Sequence, residues 1–86
     1  MENLRPNDVF DLKLGQTLKV DGKIYTISRF IRVPRNGHGY KTDEITNSWD
    51  VIVMERDKTK EIGSISVFDL RHLAARRCVM IKEATC

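Results

Sequence analysis

The chain has little cysteine, no long apolar run and no strong excess of either charge. Each shortage excludes something. Cys78 and Cys86 are the only cysteines, too few and too close to the end for a disulfide framework. Together with His38 and His72 they match neither a Cys2His2 nor a CxxC spacing, so no structural zinc site is expected. No apolar stretch approaches the roughly 20 residues of a membrane span. The opening MENLRPNDVFD is polar and acidic and lacks the apolar core of a secretory signal, so a cytoplasmic location is the default expectation. No internal repeat or low-complexity segment interrupts the chain.

Catalytic constellations are equally scarce. Ser64 and Ser66 have no nucleophile-elbow glycines around them. Asp43 and Glu44 are sequence neighbours, which point apart on an extended segment and make poor acid–base partners. Cys78 lies in the apolar stretch CVMI, where a small buried hydrophobe is expected rather than an activated thiol. Cys86 is expected to be an exposed thiol on a frayed end. The glycines of NGHG lack the spacing of a dinucleotide or P-loop cradle. The expectation is a non-enzymatic protein with no small-molecule cofactor.

What is present fits one soluble globular domain over residues 1–86, with 41% hydrophobic and 31% charged residues. A short arm (1–13), in which NDVFDL can make a single helical turn, precedes a β-rich body over about 14–82. Asp21-Gly22 between apolar flanks is the strongest short-range hairpin signal. The strand after it runs from Lys23 to about Val33, and its alternation changes phase, as in a strand that bends. SWDVIVMER alternates and is followed by a polar RDKTK turn and by EIGSISVF, where Gly63 suggests a bulge. In SWDVIVMER the face of Trp49, Val51 and Val53 is expected to supply core; exposed on a barrel face, Trp49 would instead be a hot-spot anchor for a partner. DLRHLAA, with Asp69 as its cap, reads as a helical turn or two, and RCVMIKE closes the chain as a last strand.

This order resembles the SH3-like small barrels, the group that includes KOW and Tudor modules. The resemblance rests on KVDGKIYTI as first hairpin, WDVIVMERDKTKEIGSISV as distal hairpin and VFDLRHL as the helical turn. It implies a mainly β fold: a five-stranded barrel with a short helical turn before its last strand and a short N-terminal turn. In its small size, single domain and lack of catalytic motifs the chain also resembles small accessory proteins of bacteriophages and mobile elements.

The formal net charge of +3 is mild, and its distribution is more informative. Residues 23–41 carry Lys23, Arg29, Arg32, Arg35 and Lys41 and no acid. They overlap the long interruption Val33–Asn47, where Arg35, His38, Tyr40 and Lys41 combine charge with an aromatic ring that can stack on a base. Arg71, Arg76 and Arg77, with His72, make a second basic group. A face carrying Arg29, Arg32 and Arg35 can track a phosphate backbone. Arg32 is expected to project outward, and Arg29 can instead pair with Asp50 or Glu55. The cations near the helix end also suit its dipole. The expected function is therefore a binding module for nucleic acid, DNA or RNA, through the basic face and the 34–47 loop. The alternative is docking on a larger protein, which the low net charge and the acids Asp43 and Glu44 favour. No membrane partner is expected.

Overall fold

The computed structural model describes residues 2–56 and 60–82. Seven strands form one antiparallel sheet: β1 (Glu2–Asn3), β2 (Thr17–Val20), β3 (Lys23–Arg32), β4 (Tyr40–Thr42), β5 (Val51–Arg56), β6 (Lys60–Ser66) and β7 (Val79–Lys82). A 3₁₀ helix (Pro6–Asp11) precedes β2, and one α-helix, α1 (Val67–Ala75), links β6 to β7. The strands lie in the order β1-β7-β2-β3-β5-β6, with β4 also paired to β3.

The mainly β class is as expected, but the five-stranded barrel is corrected to an open sheet of seven strands. No ladder joins β1 to β6 among the described residues. The physical reason is what fills the opening. The 3₁₀ helix and α1 pack against each other and send Val9, Val67, Leu70 and Ala74 into the core that barrel closure would otherwise cover. Residues 1–13, read from sequence as an arm, contribute β1, which pairs with β7, and bury Leu4, Val9 and Leu12.

The β2–β3 hairpin turns where the sequence said it would. Asp21 and Gly22 have φ of 52° and 82°, the two positive values that a type I′ turn requires. β3 then shifts register between Ile27 and Arg29. A bulge moves every later side chain to the other face. Ile27 and Phe30 therefore both reach the core, and Arg29 and Ile31 lie on the opposite face. A second register shift, between Met54 and Glu55, falls opposite Gly63.

Three sequence expectations are corrected here. Strand β5 begins at Val51, not Trp49; Val53 is buried as expected, Ile52 and Met54 join the central core, and Trp49 sits in the preceding turn, exposed. Helix α1 begins two residues before Asp69, because Ser66 is its cap: the Ser66 hydroxyl accepts from the Asp69 amide at 3.1 Å. Cys78 is exposed rather than buried. It lies in the turn after α1, donates to the Arg76 carbonyl, and leaves the core position to Val79. That turn is a Schellman motif: the Cys78 amide donates to Leu73, the Arg77 amide to Ala74, and Arg77 takes the left-handed conformation with φ of 59°. Residues 57–59, the middle of the RDKTK turn, and Cys86 fall outside the described residues. No described helix is long and apolar enough to cross a membrane.

Candidate functional site

The loop between β3 and β5 is built around one carboxylate. Asp50 is 1% exposed, and a buried charge is tolerated only with donors around it. It accepts from the Thr46 amide at 3.0 Å and the Asn47 amide at 3.4 Å. Arg32 approaches it side-on, with Nε and Nη2 each at 3.4 Å. The same Nη2 donates to the Glu44 carbonyl at 3.0 Å. The hydrogen bond to Asp50 holds the Arg32 guanidinium above its ordinary pKa, so its charge is permanent. Arg32 does not project outward as expected from sequence; it ties the loop to β3.

The rest of the loop is also ordered by local bonds. The Gly37 amide closes a turn onto the Pro34 carbonyl at 2.9 Å, with Gly37 at φ of 82°. The Asn36 side chain accepts from the His38 amide at 3.2 Å. At Gly39 the chain passes so close to β3 that a Cβ there would stand 2.9 Å from Ile31 Cγ2. Ile45 is buried and pins the loop's far end to the core.

Asp50 acts through its backbone as well. Its carbonyl accepts from the Val67 amide at 2.8 Å, and the Ser48 carbonyl accepts from the Phe68 amide at 2.7 Å. These bonds satisfy two of the amides that a helix start leaves without partners. They also set the first turn of α1 against the turn that carries Trp49. The result is an aromatic ridge on the surface. Trp49, 68% exposed, stacks on Phe68, 41% exposed, with ring centroids 5.5 Å apart and planes at 14°. His72 meets Phe68 edge-on at 4.5 Å and 78°. Beside the ridge lies a small pocket of about 220 Å³ lined by Pro6, Phe68, Arg71, His72 and Ala75. The Arg71 guanidinium lies over the Phe10 ring, 5.3 Å from its centroid.

The residues singled out from sequence fall on several surfaces. Cross-strand partners share a face of a sheet. Arg29 opposite Val53, and Lys41 opposite Ile31, therefore lie on the outer face. Tyr40 pairs opposite Arg32, and its hydroxyl lies by that guanidinium. Arg35 and His38 are exposed in the turn before β4, while Arg76 and Arg77 are exposed at the end of α1. Arg71 stands at the ridge pocket. Arg29, Arg32 and Arg35 are thus not brought together as one stripe.

Sequence reasoning left Phe68 out of the site and gave Trp49 to the core. A usable signal was present in TNSWD: turn-forming residues on both sides of the tryptophan argue against a strand there. The i, i+4 spacing of Phe68 and His72 puts both on one face of a helix. Among the described residues, no group of three or more His, Cys, Asp or Glu stands together as a metal site. Comparison with known protein families, with curated proteins and with solved structures finds no match to this chain.

Proposed function

We propose that the protein is a non-catalytic interaction module that docks on a larger protein through the Trp49–Phe68 ridge. One observation carries this reading: two large aromatic rings are stacked on each other and left facing solvent. Interface hot spots are enriched in Trp, Tyr and Arg, and Arg71 stands beside the ridge. Stacking and the hydrogen bonds from Phe68 and Val67 fix the rings before a partner arrives, which lowers the entropy cost of binding. The fold supports the same kind of role. We read β2, β3, β5, β6 and β7 as an SH3-like arrangement that α1 and the 3₁₀ helix hold open, with β1 and β4 as additions.

A second reading is favoured by a separate observation. Arg35, His38, Tyr40 and Lys41 are all exposed around β4, and Arg76 and Arg77 are exposed at the end of α1. Together with Arg29 and Arg71 they would bind the phosphates of a nucleic acid, with Trp49 or Tyr40 stacking on a base. Arg32, engaged by Asp50, would then position the loop rather than touch phosphate.

One pair of measurements separates the two. A displayed random-peptide library is selected on the wild-type protein and counter-selected on Trp49→Ala. Binding of labelled single-stranded DNA, duplex DNA and RNA is followed by anisotropy at low and physiological salt. Peptides that need Trp49 support docking on a protein. Nucleic-acid binding that falls steeply with salt and weakens in an Arg35→Ala, Lys41→Ala variant supports the second reading. The absence of both results would overturn both readings.

A further inference from the structure

We propose that the pocket beside the ridge receives an acidic side chain of the docking partner, so that the recognised segment joins an Asp or Glu to an apolar neighbour. This inference rests on the docking reading above and names the chemistry of the partner. The pocket, about 220 Å³, is smaller than the roughly 300–1,000 Å³ of small-molecule sites and suits a single side chain. Its walls are apolar at Pro6, Phe68 and Ala75, and its polar groups are Arg71 and His72.

Arg71 supplies the specificity. Its guanidinium is held over the Phe10 ring, which limits its rotamers before any ligand binds. Its Nε is buried and has no hydrogen-bond partner among the described residues. The same burial closes Nε to a ligand as well, so an incoming carboxylate would be held through the Nη groups of the guanidinium. The planar fork of arginine matches a carboxylate with two parallel hydrogen bonds, which an amide or a lone lysine cannot reproduce.

The surroundings favour the same sign of charge. His72 lines the pocket, and Arg76 and Arg77 follow one turn on. Asp69, the acid on α1, lies about 160° around the helix from Arg71 but only about 60° from His72 by the 3.6-residue period, so Arg71 rather than His72 sets the sign of the pocket. Asp8 is the acid of the 3₁₀ helix nearest Pro6 in sequence, and it is exposed and not among the pocket's lining residues. An apolar residue next to the partner's acid would rest on the Trp49–Phe68 stack.

The test uses the peptides that the library selection yields on the full chain. Peptides that need Trp49 are expected to carry an Asp or Glu beside an aromatic or aliphatic residue. Changing that acid to its amide should weaken binding about tenfold, roughly the worth of one charge-assisted contact. Arg71→Gln should weaken the acidic peptide by a similar factor and erase the difference between acid and amide forms. Arg71→Lys keeps charge and stem and should retain part of the difference, which guards against a folding defect in the first variant. Thermal unfolding checks that both variants are folded. Trp49-dependent peptides that are indifferent to the acid and to Arg71 would overturn this inference and leave the docking reading standing. No Trp49-dependent peptide at all would remove both. Nucleic-acid binding that disappears in Arg71→Gln would give the pocket to a phosphate and overturn the inference as well.

Discussion

Asp50→Ala removes the carboxylate on which the 33–47 loop is built. The Thr46 and Asn47 amides lose their acceptor, and Arg32 loses the partner that holds it against the loop. Both residues that donate those amides are exposed, so water reaches them once the loop relaxes, and each loss belongs at the low end, about 1 kcal/mol. The space left by a side chain that was 1% exposed adds a smaller term, for a total of about 2–3 kcal/mol. A domain of 86 residues has roughly 4–13 kcal/mol in all, so this is a large fraction. The melting temperature should fall by about 10–20 °C. Asp50→Asn keeps one carbonyl acceptor for the amides and should fall between wild type and alanine. Circular dichroism follows the whole sheet through the transition. Fluorescence of Trp49, the sole tryptophan, follows the turn next to the lesion. A melting temperature for Asp50→Ala within about 2 °C of wild type would refute the claim that this carboxylate organises the loop.

Other substitutions test the remaining local arguments. Arg77→Gly replaces a side chain at φ of 59° with the residue that tolerates that conformation, and should raise stability by about 1 kcal/mol, read as a higher urea midpoint. Ser66→Ala removes the cap of α1 and should cost about 1 kcal/mol, read by the same denaturation curve. Gly39→Ala drives a methyl group to 2.9 Å from Ile31 Cγ2; it should destabilise by about 1–2 kcal/mol, with amide shifts in β3 and β4 by NMR. Phe68→Ala opens no core cavity but loses its ring contacts with Trp49 and His72, so it should cost about 1–2 kcal/mol while the Trp49 emission shifts as its stacking partner is lost.

How much of this was legible follows from which forces are local. The Asp21-Gly22 turn was readable because a demand for two positive φ values is satisfied by those residues almost regardless of context. The phase change in β3 was visible as apolar residues on both faces, although only the structure fixes it between Ile27 and Arg29. The open edge between β1 and β6 was not readable, since closure depends on how two helices fill a gap between segments distant in sequence. The alternation of SWDVIVMER makes Trp49 the first residue of a strand on the face of Val51 and Val53, yet two backbone bonds from the start of α1 to Ser48 and Asp50 hold it in a turn outside the core. Arg32 was read as a free cation because its acid lies eighteen residues away, across a loop. The basic group at the end of α1 was legible as a composition, but the pocket that Arg71 shares with Pro6 arises only from packing of the 3₁₀ helix on α1.

An open sheet also has a consequence for how the molecule behaves in a crowd. β6 is a seven-residue strand at the end of the order, and a straight row of unsatisfied amides and carbonyls would be a template for a neighbour's strand. The register shift between Met54 and Glu55, facing Gly63, breaks that row part-way along and adds twist. An incoming strand can match one half of β6 or the other, but not both in a single register. The irregularity that first reads as a flaw in the β5–β6 ladder thereby makes β6 a poorer template for a neighbour's strand than a regular edge would be.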